Sequence, residues 1–442
     1  MNMKTNAQQT PPFSEVDLTT SAASTERFLS GHRAWLFLAA LVTVSAVCQI
    51  DRMLPFILAE SIKADLRIND TLLGLISGTA FSLCFSLMSF PLARFADRGS
   101  PRFVLVACIL VWSIMTSLGS AAQSAGSLAF TRIGVALGEA GATPCSHALI
   151  SRRIAPERRG RAIGLFAVGV PLGAMLGFAV GGWFNDNFGW RTALFLAGAA
   201  TAILALLLPL CVGRTRSIEP EMHSEPSFGK SSLNLLSSPG FIWLFVAANA
   251  VGLASAPFYL FASSFLIRTY GLTASEVGVS FGALQGFMGL LGAMIAGRLF
   301  DASVKAGRKQ MLLAPGLVLL FASFTTSAAL FAPSAKLSLL LFVPLMFAFS
   351  FMLPLAFGTA HLVSGHGRQA TASSLLLIGS GVLGPTLGPF TVGMISDNVT
   401  AASASNGLAW GLLLVPLASL LSAMSILIAN HKVAEFLRAD RN

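Results

Sequence analysis

Residues 93–102 read Ala93-Arg94-Phe95-Ala96-Asp97-Arg98-Gly99-Ser100-Pro101-Arg102, and residues 297–309 read Gly297-Arg298-Leu299-Phe300-Asp301-Ala302-Ser303-Val304-Lys305-Ala306-Gly307-Arg308-Lys309. Each stretch runs small residue, three residues, aspartate, then glycine with basic residues, and each closes a long apolar run. An aspartate at a helix end pairs with loop arginines and with the N-terminus of a neighbouring helix, a contact that locks one conformation. One such cluster is explained by membrane topology alone. Two copies at matching places point to a duplicated architecture, with Asp97, Arg98, Asp301 and Arg308 as candidate gating residues.

The chain around these loops has 442 residues, 54% of them hydrophobic and only 11% charged. A soluble chain carries about 25% charged residues, so this one lacks a soluble surface. A membrane helix needs roughly 20 apolar residues. Apolar runs place spans at 35–59, 71–94, 102–122, 126–149, 161–184, 190–212, 240–267, 274–297, 310–332, 337–361, 369–395 and 407–430. The prediction is an all-α polytopic membrane protein of twelve transmembrane helices in two six-helix halves. The halves are residues 35–212 and 240–430, flanked by tails at 1–34 and 431–442. The longest internal polar stretch, 213–239, links them, and such a repeat is a common transporter design.

Orientation follows from Lys and Arg. With both termini in the cytoplasm, the outer segments hold five basic residues: Lys63, Arg67, Arg191, Arg268 and Lys336. Arg52 and Arg132 lie inside helices, and the other 22 of the 29 fall on the inner side. That bias predicts cytoplasmic termini. The net charge of +10 is spread over these short clusters, with no basic run for a nucleic-acid groove. The 1–34 tail lacks the apolar core of a secretory signal, and the run from Trp35 reads as a retained span.

Four ionisable residues lie deep in predicted helices: Asp51 and Arg52 in the first, Arg132 and Glu139 in the fourth. Such groups are costly in hydrocarbon and face a cavity or each other. Arg132 and Glu139 are seven apart, two turns along one helix face. They form either a functional network or a structural ion-pair set. The fifth span carries Gly164, Gly173, Gly177, Gly181 and Gly182, and glycine at every fourth position lets another helix approach closely. Cys48, Cys84, Cys108, Cys145 and Cys211 read as small hydrophobes without metal-ligand spacing, and His147 as structural. No P-loop sequence and no His-Glu-x-x-His is present. Gly278-Val279-Ser280-Phe281-Gly282 lacks the preceding strand that a nucleophile elbow requires. An enzyme acting on lipids or peptides within the membrane therefore finds no support, and no cofactor or metal is expected beyond an ion gradient.

The two paired loops resemble the signature loops of the major facilitator superfamily, as does Pro156-Glu157-Arg158-Arg159-Gly160-Arg161-Ala162. Ala93 stands at the usual glycine, Pro101 interrupts the basic tail, and the second copy carries three extra residues before Gly307-Arg308-Lys309. The glycine row resembles the superfamily's antiporter signature, with Phe178 at its proline. Ile50-Asp51-Arg52, Ile62-Lys63-Ala64-Asp65-Leu66, Asp70-Thr71-Leu72-Leu73-Gly74-Leu75, Trp112-Ser113, Arg132-Ile133-Gly134-Val135-Ala136-Leu137-Gly138-Glu139-Ala140 and Gly189-Trp190-Arg191 are similar to the spinster family. That likeness is dense over 50–191 and thin beyond.

The resemblance implies a monomeric secondary transporter of a bacterial inner membrane, driven by protons and working by alternating access. It places the first and fourth helices at a central cavity, with Asp51 and Glu139 as proton-coupling groups and Arg52 and Arg132 as their charge network or head-group site. The expected substrate is small and amphipathic, lipid-like or drug-like. Its tail would meet helices seven and ten, where Asn249, Tyr259, Phe261, Phe347 and Phe351 are the candidate lining. The alternative is a symporter of small organic anions.

Overall fold

The computed structural model describes residues 28–29, 31–213, 228–306, 310–364, 368–403 and 406–439. Among these there is no β-strand. Twelve helices follow the predicted spans. They are α1 (Gly31–Ile57), α2 (Asp70–Gly74 and Phe81–Arg98 joined by a π-helical turn, Leu75–Ala80) and α3 (Pro101–Gly119). Next is α4, in two pieces, Ala125–Glu139 and Ala142–Arg153. The stretch Pro156–Val212 contains α5 (156–188) and α6 (190–212), divided at Gly189, whose φ of 81° turns the chain where L side chains are strained. The second half holds α7 (Pro239–Tyr270), α8 (Ala274–Lys305), α9 (Leu313–Ala329) and α10 (Ala335–Ser364). It ends with α11 (Gln369–Ile378 and Gly384–Ser403 around a π-helical turn, Gly379–Leu383) and α12 (Gly407–Leu412 and Leu414–Ala439). Short helices Ala59–Leu66 and Phe228–Leu236 precede α2 and α7.

Nine described helices are long and apolar enough to cross a bilayer, one of them the 57-residue stretch that holds both α5 and α6. The remaining two spans are the broken α4 and the 17-residue α9. Most of the predicted 213–239 linker, including 214–227, lies outside the described residues.

Local chemistry sets the helix ends. Ser100 caps α3 by accepting from the Phe103 amide, with Pro101 at the first helical position. Ser124 with Ser127 and Thr273 with Glu276 form capping boxes at α4 and α8. Gly271 (φ 66°) ends α7 and leaves only a short turn into α8.

Within the halves, α1 packs on α5, α3 on α4 and α6, α7 on α12, and α10 on α8 and α9. Between the halves, α5 meets α8, α2 meets α11, and α1 meets α7. The glycines of α5 explain how closely α1 and α8 approach it. A Cβ on Gly173 would strike Ala46 and Gln49 of α1, and on Gly177 it would press on Ile50 and Met53. A Cβ on Gly181 would strike Leu54 and Ile57, while on Gly182 it would strike the Ala274 backbone of α8. Gly164 meets nothing within 4 Å. One face of α5 thus seats α1 and another seats α8, whose Gly278, Gly282 and Gly286 lie on Phe178, Met175 and Pro171.

The apolar core is not evenly shared. One cluster joins Met53, Leu54, Ile57, Ala174 and Phe178 of the first half to Phe258, Phe281 and Phe342 of the second. A separate cluster, with Phe37, Leu41, Trp112 and Leu149, stays inside the first half. The hydrogen bonds between the halves gather toward the end where α1 finishes and α2 begins.

Candidate functional site

Asp51 and Arg52 are neighbours on α1, one helical step apart, and their side chains serve different partners. Asp51 is 1% exposed. Its Oδ2 accepts from Trp112 Nε1 of α3 at 2.9 Å and from Thr201 Oγ1 of α6 at 3.2 Å. Its Oδ1 is buried without a partner. Arg52 crosses to α4, donating from Nε and Nη2 to Glu139 Oε2 at 3.1 and 2.9 Å. Glu139 Oε1 is left unpartnered.

Arg132, two turns before Glu139, is 5% exposed, and its Nε and Nη2 have no hydrogen-bond partner. Its guanidinium lies 4.8 Å from the Phe81 ring, while that of Arg52 sits 4.7 Å from Phe85 and 5.5 Å from Phe81. Phe81 of α2 therefore sits against both cations and Phe85 against Arg52, a contact that is stronger in a desolvated place.

This group forms one wall of a cavity of about 310 Å³ between the halves. Arg52, Arg132, Gln49 and Ser77 supply polar groups, and Phe56, Phe81 and Phe85 an apolar wall. The second half contributes Tyr259, Leu260, Pro385 and Pro389. Both π-helical turns reach it, through Ser77 and Gly78 of α2 and Gly381 of α11. Such turns recur at functional sites because they re-aim backbone and side chains. Among the described residues no His/Cys/Asp/Glu cluster fits a metal ion.

Of the residues expected to line the tail region, Tyr259 reaches the cavity. Phe261 is wholly buried in the core cluster that joins the halves, and Phe347 and Phe351 stack on each other 5.1 Å apart. Asn249 donates to the Phe245 carbonyl at 2.9 Å. Trp112, Thr201, Phe81 and Phe85 were not singled out for a role by the sequence reading. A tryptophan and a threonine inside apolar spans are the signal available, but neither points to Asp51 without the packing.

A second polar cluster was also missed. At the end where α1 finishes and α2 begins, Arg268 of α7 donates to both oxygens of Glu60, each at 2.7 Å, and to both oxygens of Asp70. Asp70 also pairs with Lys63 and accepts from Ser396 Oγ of α11 at 2.7 Å. Asp397 accepts from the Asp70 and Thr71 amides at 3.1 and 2.8 Å. One half thereby caps the first turn of a helix in the other. Nearby, Asp186 accepts from the Ser275 amide at 2.7 Å, again across the halves.

At the other end, Arg152 of α4 donates to the Ala96 and Gly99 carbonyls at 3.1 Å each, tying α4 to the first signature loop. The side chains of Asp97 and Arg98, and all of Arg308, lie outside the described residues. Asp301 is exposed near the end of α8.

Residues 39–389 match the sequence model of the Major Facilitator Superfamily. The chain belongs to this superfamily. Its member here is an integral membrane transporter and not an enzyme. It is 36% identical over 388 residues to an MFS-type efflux pump of Mycolicibacterium smegmatis (strain ATCC 700084 / mc(2)155), covering 87% of this chain and 89% of that protein. Its fold is similar to a bacterial homologue of the human lysosomal transporter Spinster in an inward-facing, unoccupied conformation. That likeness has a TM-score of 0.76 and 24% identity over 93% of this chain and 98% of the other. A D-xylose–proton symporter is also similar in fold, with a TM-score of 0.71 and 14% identity over 89% and 97% of the two chains.

Proposed function

We propose that this transporter is a proton-coupled secondary carrier that exports an amphipathic molecule with an anionic or polar head. The observation that carries the reading is Asp51. It is a carboxylate buried behind the cavity wall, with one oxygen held by Trp112 and Thr201 and the other without a donor. A buried charge with an unmatched oxygen is costly, and a proton removes both the charge and the mismatch. When the halves rock and the cavity changes its exposure, the balance between the two forms changes with it, which couples proton binding to conformation. Glu139, already paired with Arg52, is the second group of the relay.

The head of the substrate meets Arg52 and Arg132, and its apolar part meets Phe56, Phe81, Phe85 and Leu260. The direction rests on the efflux pump that is 36% identical. With the termini in the cytoplasm, the end sealed by Asp70 and Arg268 is the outer one, so the cavity is available from the inside.

A second reading, carriage of a small organic anion, is favoured by the unpartnered Arg132 nitrogens in a cavity of about 310 Å³. A transport series of one anionic head group with growing alkyl chains, in proteoliposomes with and without a pH gradient, separates the two. Affinity rising with chain length supports the amphipathic substrate, and a flat series replaces it with the small anion. Transport indifferent to the pH gradient sinks the proton coupling.

A further inference from the structure

The second piece of α4, Ala142–Arg153, carries polar groups that the site above does not use. Glycines fix how α4 is turned. A Cβ on Gly134, Gly138 or Gly141 would strike Met115, Trp112 or Cys108, so that face lies against α3. Ala140 and Gly141 keep right-handed helical dihedrals across the break between the two pieces. Glu139, Thr143, His147 and Ser151 therefore follow one another at four-residue steps as one row, on the side turned away from α3.

The row runs from buried to open. Glu139 is 1% exposed, whereas Thr143, His147 and Ser151 are exposed. The opening differs from a lipid-facing surface. The outer helices α3 and α9 expose Phe103, Phe321 and Phe324, but the second piece of α4 exposes no large apolar side chain. It packs on α1, α2, α3 and the α5–α6 stretch of its own half, which leaves the polar row toward the space between the halves.

His147 is set by its ring, which meets Phe166 of α5 edge-on at 5.5 Å. Among the described residues its nitrogens have no hydrogen-bond partner, so they are free for water. The neighbouring cations are turned elsewhere. Arg94 of α2 lies over Phe90, Arg102 of α3 donates to the Pro209 carbonyl, Arg152 to Ala96 and Gly99, and Arg159 of α5 to Ile154. Glu157, the acid in the first turn of α5, is exposed and forms no ion pair with His147. Ser151 spends its hydroxyl on the Ala148 carbonyl at 2.9 Å, which leaves His147 as the first titratable group of the row.

We infer that His147 exchanges protons between the water of this opening and Glu139, by way of Thr143. The inference rests on the proton-coupled reading above and adds the route. Histidine is the side chain that changes charge between about pH 5 and 8. Eight residues span about 12 Å of helix, and Thr143 divides that length into two gaps of about 6 Å. One water making two O–H···O bonds of about 2.8 Å crosses each gap. On loading, the imidazolium N–H gives its proton to the first water. Each oxygen along the row takes one proton and passes on another. Glu139 Oε1, buried without a partner, takes the last. One N–H bond is lost and one O–H bond gained, and release runs the same steps backwards.

The test needs no transported substrate. The full chain in detergent receives a flash-released proton, and the rise of a carboxylic-acid infrared band is followed. A band that Glu139→Gln removes belongs to Glu139. His147→Gln, an exposed change, is expected to slow its rise about tenfold or more and to leave its final amplitude unchanged. Added imidazole is expected to restore the rate, which it would not do for a merely structural loss. Thr143→Val is expected to slow the rise as well. A wild-type rate in either variant, or a slow rise in His147→Gln that imidazole leaves slow, overturns the route and leaves proton coupling standing. A band removed by Asp51→Asn and not by Glu139→Gln also overturns the route alone. A band lost in neither variant overturns the route and the proton-coupled reading together.

Discussion

Arg268 of α7 donates to Asp70 of α2 through Nη1 at 2.8 Å and Nη2 at 2.6 Å, so one guanidinium holds the two halves together. The Asp70 side chain is 3% exposed and that of Arg268 25%, so the pair is largely shielded from solvent screening. Asp70 adds Lys63 and Ser396 to the same joint, and Glu60 takes the rest of the Arg268 donors. The joint exists only while this end of the molecule is closed.

Asp70→Asn is therefore expected to favour opening at this end. Charged hydrogen bonds are worth about 1.5–3 kcal/mol, which changes a two-state population by tenfold or more. Paired spin labels on the 59–69 and 398–403 segments read the change as a new long-distance population. Unchanged distances count against a latch at Asp70.

Asp51→Asn keeps the shape of the carboxylate but cannot be protonated in its place, so it tests the proposed proton coupling. Uphill transport driven by a pH gradient is expected to fall to background, while substrate exchange across proteoliposomes continues. An Asn variant that still concentrates substrate removes Asp51 from the coupling step and moves that role to Glu139.

Glu139→Ala leaves Arg52 without its ion partner and is expected to cost about 3 kcal/mol, read as a clear fall in the thermal midpoint in detergent. Replacing both partners by apolar residues, Arg52→Met with Glu139→Leu, is expected to recover much of that loss, since a removed pair is less harmful than a broken one. Transport is expected to be lost in Glu139→Ala and not to return in the double variant. A double variant that transports normally makes the pair structural only.

The α5 glycines give a packing test. Gly173→Leu drives a side chain into Ala46 and Gln49, and overpacking of this kind costs about 1–3 kcal/mol or more. The folded yield by size-exclusion chromatography is expected to drop steeply. Gly164→Ala meets open space and is expected to keep wild-type yield. Equal yields from the two variants rule out the α1–α5 seat as the reason for the glycine row.

Twelve spans and a two-half plan were legible in the chain because hydrocarbon is a harsh solvent. Every backbone polar group must be satisfied inside its own helix, so the spans appear as apolar runs of bilayer length. The same harshness makes Asp51, Arg52, Arg132 and Glu139 conspicuous, since unpaired charge at that depth is expensive. The sequence could name these four but not pair them. Asp51 and Arg52 are adjacent, yet successive residues on a helix point in different directions. Which neighbour each finds depends on how α1 is rotated against α3, α4 and α6. Tertiary packing alone decided that Arg52 takes Glu139, 87 positions away, and that Asp51 takes Trp112 and Thr201, 61 and 150 positions away. The joint at Asp70 and Arg268 was hidden for the same reason. Charges at span ends are ordinary topology signals, and only the docking of the two halves, 198 positions apart at this point, turns them into a contact.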